Sequence, residues 1–397
     1  MSETVFPGED EEVIGADEVV EGPPVPGELE QAFKCGSCAG KMSFQPGADA
    51  QKCPYCGFEN PIPKSDEDIE ELDFKTYLSE CPESQDLIEQ LTVDCSECGA
   101  EVTTDPNVSA QQCAFCGSDI IATAHSTKHI KPKSLLPFKV TRKEGQASFK
   151  SWLNSLWFAP SALKKMAQQD GKLNGMYVPY WTYDSDTKSY YTGQRGEHYW
   201  ETQHYTTHVN GKTQHKTRRV RKTRWYSASG TVWEAFDDVL VLASNSLPRK
   251  YTESLEPWDL ENLAPYKDEY LTGFKAESYQ VDLADGFSYG AKIMDGHIRH
   301  LIKRDIGGDE QRIHSVKTQH DNITFKHILL PIWISAYRYQ DKAYRFLVNA
   351  RTGEVQGERP WSVLKIALAV AAGLAVIGAI AMIVMSAQSG GGNVMMH

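Results

Sequence analysis

Eight of the nine cysteines form two copies of one pattern, Cys35-x2-Cys38…Cys53-x2-Cys56 and Cys95-x2-Cys98…Cys113-x2-Cys116, offset by sixty residues. Each copy leaves fourteen residues between its second and third cysteine and carries a proline at the same place, Pro46 or Pro106. Each also closes on an aromatic knuckle and a glycine, Tyr55-Cys56-Gly57 and Phe115-Cys116-Gly117. That is an internal repeat. Two residues between cysteines let a tight turn aim both sulfurs at one ion, and a second turn completes a tetrahedral thiolate cage. Each unit therefore reads as a zinc ribbon built on a short β-hairpin. A four-thiolate site leaves no open position for water or substrate, so the two Zn2+ ions are expected to be structural. Disulfides and iron are the competing uses of the same thiols. Cys81, between the repeats, has no partner motif and receives no role.

A second group of residues could hold an anion. Asn210-Gly211 is a two-residue hairpin signal, and the strand leaving it carries Lys212, Lys216, Arg218, Arg219, Arg221, Lys222 and Arg224. A basic hairpin over 197–226 is expected, open to lipid headgroups, to the chain's own acidic segment, or to nucleic-acid phosphate. The plainer alternative is a solvated hairpin whose charges prevent edge pairing.

Catalytic motifs are not found. Gly211-Lys212-Thr213 lacks the glycine that a phosphate-binding loop needs at position 206, which is threonine. Asp309-Glu310 follows two glycines rather than an apolar strand, unlike the acidic motif of a motor ATPase. His198, His204, His208 and His215 surround the hairpin, and His297 and His300 lie on an expected helix, without carboxylates or thiols at ligand spacing. No enzyme activity is expected.

The elements that must position these groups follow from pattern and composition. With 397 residues and 41% hydrophobic content, the chain can bury a sizeable core. Its net charge of -12 is concentrated, because residues 1–31 hold ten acids and no lysine or arginine. They read as an acidic disordered tail. Ribbon 1 then spans 32–60, an acidic linker with a short helix 61–91, and ribbon 2 92–122. An α+β, strand-rich domain follows over 131–359. In it an amphipathic helix around Phe149, Trp152, Leu153 and Trp157 should stop before Pro160. Val178-Pro179-Tyr180-Trp181 and Leu330-Pro331-Ile332-Trp333 both lead into alternating strand patterns. Helices are expected over 260–269 and 282–303, and a turn over 349–355.

From Ile366 to Met385 twenty residues run without charge. A helix of that length spans about 30 Å, one bilayer crossing. The expected membrane helix is 362–386, with a short tail 387–397. Arg359 and Lys365 flank its start, whereas the tail carries no charge, so by the positive-inside rule the bulk of the chain faces the cytoplasm. Residues 1–31 have neither the basic region nor the apolar run of a signal peptide. A tail-anchored protein of the bacterial cytoplasmic membrane is the expectation, and a reducing cytoplasm agrees with metal-bound thiols. Ala367, Ala371, Ala375 and Ala379 make a small-residue stripe through which a second copy could pack, giving a homo-oligomer.

The two ribbons, the stretch from Lys131 to Lys165, VPYWTYD, SASGTVWEAFDDVLV and VNARTGEVQGERP before a membrane helix resemble a bacterial family of membrane proteins with transcription factor IIB-type zinc ribbons. Its members often carry names taken from the primosomal replication helicase. The helicase function does not extend to this chain, which lacks the phosphate loop. The resemblance implies metal-ligand roles for the eight paired cysteines. Through flotillin-like (SPFH) and phage-shock-type membrane proteins encoded near such members, it also implies a role in organising or protecting the membrane. One departure is that Ala39 stands where the second copy has Gly99. The functional expectation is a scaffold or adaptor that docks a protein partner at the membrane. The alternative is a membrane-held nucleic-acid-binding protein using ribbons and hairpin together.

Overall fold

The computed structural model describes residues 33–63, 69–79, 87–103, 111–113, 115, 118–120, 125–160, 173–209, 212–339 and 342–389. Ribbon 1 is a three-stranded sheet of β1 (Ser43–Phe44), β2 (Ala50–Lys52) and β3 (Glu59–Pro61). The linker after it contributes β4 (Leu72–Asp73) and helix α1 (Phe74–Ser79). Ribbon 2 uses β5 (Leu87–Asp94), β6 (Glu101–Thr103), β7 (Gln111–Gln112) and β8 (Asp119–Ile120), and β9 (His125–Ile130) returns along β5.

The body is strand-rich with few helices. It comprises β10 (Ser134–Leu135), α2 (Arg142–Ser155), β11 (Asn174–Val209), β12 (Lys212–Leu242), α3 (Arg249–Glu253), β13 (Ala264–Pro265), β14 (Lys275–Ala276), α4 (Leu283–Ile306), β15 (Glu310–Tyr339), β16 (Lys342–Asn349) and β17 (Val355–Gly357). The chain then enters α5 (Val363–Ser389). The main sheet runs β12-β11-β15-β10-β13, with β16 and β17 continuing from β15 and β4 pairing with β15 as well.

Two prolines sit inside this sheet, where a missing N–H would normally exclude them. The Pro179 carbonyl accepts from Ala243 N–H (3.0 Å), and the Pro331 carbonyl accepts from Ala350 N–H (3.1 Å). On a strand the N–H points to the same side as the carbonyl, so each absent donor faces the outer neighbour. There β11 changes partner from β14 to β12, and β15 changes from β10 to β16. The two similar motifs seen in the sequence pair with one another, Val178 opposite Leu330.

Helix α2 starts on a capping box, Thr141 with Glu144, and stacks Phe149 on Phe346 at 3.5 Å between centroids. Helix α4 buries Leu283, Gly286, Gly290, Met294, Ile298, Ile302 and Ile306, one stripe with a near-four-residue repeat, against the long strands. A Cβ at Gly286 would stand 2.3 Å from Tyr183 Oη, so glycine there sets the closeness of helix to sheet. The helix expected over 260–269 is not formed. Two short 3-10 turns, Leu260–Asn262 and Asp268–Leu271, flank a segment that pairs as β13 with β10, and this tertiary ladder overrides the local pattern. The expected strand after Ile334 is a hairpin, β15 into β16, and 349–355 is the turn expected, with Gly353 at φ 80°.

Candidate metal centres and the basic arm

Three described knuckles share one backbone geometry. The N–H of the leading cysteine is held by a carbonyl five residues on: Cys35 by Gly40 (2.8 Å), Cys53 by Phe58 (2.8 Å) and Cys95 by Ala100 (2.9 Å). The N–H four residues on returns to the same cysteine's carbonyl, from Ala39, Gly57 and Gly99. That return forces positive φ: 58° at Ala39, 75° at Gly57 and 72° at Gly99. Ala39 therefore carries a Cβ in the left-handed region, where side chains cost about 1–2 kcal/mol.

In ribbon 1 the sulfurs of Cys35, Cys38, Cys53 and Cys56 converge within 4.8 Å of one another. Cys35 Sγ lies 3.4 Å from Cys56 Sγ, and Cys38 Sγ 3.5 Å from Cys53 Sγ. A disulfide would need about 2.05 Å, whereas four thiolates about 2.3 Å from a tetrahedral zinc ion stand about 3.8 Å apart. The cage fits the ion. The Cys56 N–H, with a smaller part from Tyr55 N–H, holds the Cys53 thiol down at about 6. Cys38, in spite of the Gly40 N–H, is pushed up to about 12 by the sulfurs of Cys53 and Cys56.

In ribbon 2 Cys95, Cys98 and Cys113 form the matching cluster, with Cys98 Sγ 3.6 Å from Cys113 Sγ and the Ser118 hydroxyl 3.3 Å from Cys95 Sγ. Cys116, the fourth expected ligand, and Cys81 lie outside the described residues.

The two ribbons join the body differently. Ribbon 1 lends it Phe44 and Ile62, while Cys35, Met42 and Cys53 make a small core of their own. Its buried Gln51 donates to Thr272 Oγ1 (3.1 Å), and Phe44 N–H to Thr272 O (2.9 Å). Ribbon 2 buries Cys95, Val102, Cys113, Phe115 and Ile120 in one cluster with Met176, Val178 and Leu330 of the long strands. Tyr55 is 79% exposed; Phe115, at the same place in the repeat, is 0% exposed.

The basic residues lie on a β-arm. The ladder of β11 and β12 runs without break from Ser185 to Val209; residues 210–211, where the sequence expects the hairpin turn, lie outside the described residues. The third strand, β15, stops opposite Gly196, so 197–209 and 212–224 continue as two strands alone. Thirteen residues per strand give an overhang of about 43 Å. Alternation puts Lys212, Lys216, Arg218, Lys222 and Arg224 on one face, and Arg219 and Arg221 on the other with His198, His204, His208 and His215. Arg218 lies over Tyr205 (5.7 Å), Arg219 over Trp200 (5.6 Å) and Arg224 over Tyr199 (5.0 Å), while Lys222 pairs with Glu201. His198 Nε2 is 2.7 Å from Glu310 Oε1 and His297 Nε2 3.3 Å from Glu234, so these two imidazoles are satisfied by carboxylates.

The chain is similar to a bacterial protein. Over 351 residues it is 25% identical to the uncharacterized protein YdjG of Bacillus subtilis (strain 168), covering 85% of this chain and 92% of that protein. No protein-family model matches.

One cluster went unread in the sequence. Asp184, Asp237 and Asp238 converge at the bulge of β11, and nearby Lys326 Nζ contacts Asp238 (2.8 Å) and Glu71 (2.9 Å). Burial raises the Asp184 carboxyl to about 6, helped by the neighbouring Glu71. An ammonium thus serves these carboxylates, and through Glu71 it ties the inter-ribbon linker to the sheet. A lysine inside the apolar run around Ile323-Thr324-Phe325-Lys326-His327-Ile328 was the available signal.

Finally, α5 is long and apolar enough over Val363–Ile383 to cross a membrane, with its window wholly unburied.

Proposed function

We propose that the chain is a membrane-anchored, cytoplasm-facing adaptor, held by α5 in the bacterial cytoplasmic membrane, whose zinc-loaded ribbon 1 docks a protein partner. What supports this most is the outward knuckle of ribbon 1. Tyr55 (79% exposed) and Phe58 (45%) stand on a turn that a metal ion would make rigid, and rigid exposed aromatics are what binding hot spots are made of. Ribbon 2, folded into the core, serves as a structural plug. Flotillin-like or phage-shock-type membrane proteins are the partners implied by the family resemblance, and no catalysis belongs to this reading. The test is crosslinked capture from intact membranes with wild type, Tyr55→Ala and Phe58→Ser, scored for those two protein classes. Loss of a specific partner with both variants is expected; full retention with either SPFH-type or phage-shock-type protein bound would remove ribbon 1 as the docking element.

A second reading, nucleic-acid binding, draws on the arm. A flat lipid surface meets one face of a ribbon, whereas cations on both faces suit a groove with phosphate on either side. It predicts steeply salt-dependent binding to duplex DNA, lost on replacing Arg218, Arg219 and Arg221 with Ser. Binding that is absent at low salt would end this reading.

A further inference from the structure

The loop after α2 meets the start of α5. Ser362 N–H donates to Phe158 O (2.8 Å), and Lys365 Nζ to Ala159 O (2.7 Å) and Trp157 O (3.3 Å). The Phe158 and Trp361 rings lie 6.4 Å apart, and the Arg359 guanidinium stacks on Trp361 at 4.7 Å. Trp157 is 79% exposed and Trp361 56% exposed; Trp200 (59%) and Trp233 (66%) are exposed as well but lie on β11 and β12, away from the start of the apolar helix. Lys365 is two residues inside the apolar span that opens at Val363, so the carbonyls it holds sit at the depth of the span's mouth.

We infer that Trp157 is a second membrane contact: with Trp361 it lies in the headgroup and upper acyl region of a phospholipid bilayer, and Arg359 meets lipid phosphate. The inference rests on the anchoring role given to α5. An exposed aromatic alone would say little, since single ones are ordinary on protein surfaces. Its position decides otherwise. An indole has an apolar body and one N–H donor, which is why tryptophan gathers at membrane interfaces. The loop that carries this one is fastened by three hydrogen bonds, to the carbonyls of Trp157, Phe158 and Ala159, at the place where a helix leaves the apolar layer. A body attached at the helix and at Trp157 has its tilt to the bilayer fixed by two points rather than one.

The test uses the full chain, zinc-loaded, in nanodiscs of phosphatidylcholine and phosphatidylglycerol whose acyl chains are brominated near the headgroup. Tryptophan quenching is compared for wild type, Trp157→Phe and Trp361→Phe. Each variant is expected to lose roughly half of the quenchable emission, because these two tryptophans border the span. Quenching unchanged by Trp157→Phe but abolished by Trp361→Phe overturns the contact and leaves the anchor standing. Quenching that disappears at one chain per disc assigns Trp157 to a second copy instead. Absence of quenching together with release of the protein by alkaline carbonate would remove the anchoring role itself.

Discussion

Ribbon 1 and ribbon 2 share a spacing, a proline and a knuckle, and the fold uses them in opposite ways. The aromatic of the third knuckle position points to solvent in one (Tyr55) and is fully buried in the other (Phe115). The thiols of ribbon 1 have their own small core, and those of ribbon 2 belong to the core of the whole body. Ligand spacing specifies a metal cage; what surrounds the cage specifies its use. A buried Phe in place of Tyr is the one side-chain difference at that position that agrees with this division, since a buried hydroxyl would need a partner.

The sharpest way to break the comparison is to remove metal from each ribbon in turn. A structural zinc site contributes about 10–16 kcal/mol in small domains, comparable with the whole stability of an ordinary domain. Cys113→Ser is expected to abolish cooperative unfolding of the body, followed by circular dichroism, with loss of one zinc equivalent. Cys56→Ser should lose one equivalent as well and keep the body's transition. If both variants unfold alike, the ribbons are not different in kind.

Next in size, Phe115→Ala should cost about 3–5 kcal/mol, as for a buried aromatic, and Tyr55→Ala less than about 0.5 kcal/mol. Denaturant midpoints of the two variants measure the gap directly.

Glu277 lies beneath ribbon 2, bridged to Val102 and taking a 2.8 Å hydrogen bond from the Ser244 hydroxyl. Burial pushes its carboxyl up to about 8. A raised folded value means that stability is fully present below the unfolded carboxylate range and is lost as pH rises toward 8, by at most about 1.4 kcal/mol per pH unit. Glu277→Gln should flatten that decline between pH 6 and pH 8 in urea titrations. An unchanged slope would show that Glu277 is not its source.

The smallest effect concerns the left-handed turn. Gly99→Ala in ribbon 2 should cost about 1 kcal/mol, and Ala39→Gly in ribbon 1 should recover up to a similar amount, less the entropy that glycine adds to the unfolded chain. Zinc-release midpoints under chelator would rank the four combinations.

Much of this was legible in the chain. Cysteine ligands lie close in sequence, so spacing alone located the four-thiol cluster of ribbon 1 and the three described thiols of ribbon 2, and the one departure it flagged, Ala39, is the residue found at φ 58°. The helix expected over 282–303 is α4, Leu283–Ile306, whose buried residues lie on one helix face. What could not be read was pairing between distant segments. The ladder of β11 and β12 is much longer than the expected 197–226 hairpin, because nearly all of β12 is exposed or only half-buried, so it lacks the apolar alternation that marks a half-buried strand. Between β15 and β16 the sequence reads Gln340-Asp341, without glycine, so it gave no punctuation. That Phe115 is buried and Tyr55 exposed depends on what β11 and β15 bring beneath ribbon 2, information carried some sixty to two hundred residues away.

The overhang of β11 and β12 has an electrical consequence. Residues 197–224 hold seven lysines and arginines against two glutamates, so an arm at +5 is carried by a chain whose total of -12 leaves -17 elsewhere. At physiological salt, charge is screened over about 8 Å, and the overhang is about five such lengths long. The tip is therefore electrically detached from the acidic remainder. The arm carries its own sign of charge, and lengthening or shortening it by a few residue pairs would change how far from the body that charge stands without altering any contact within it.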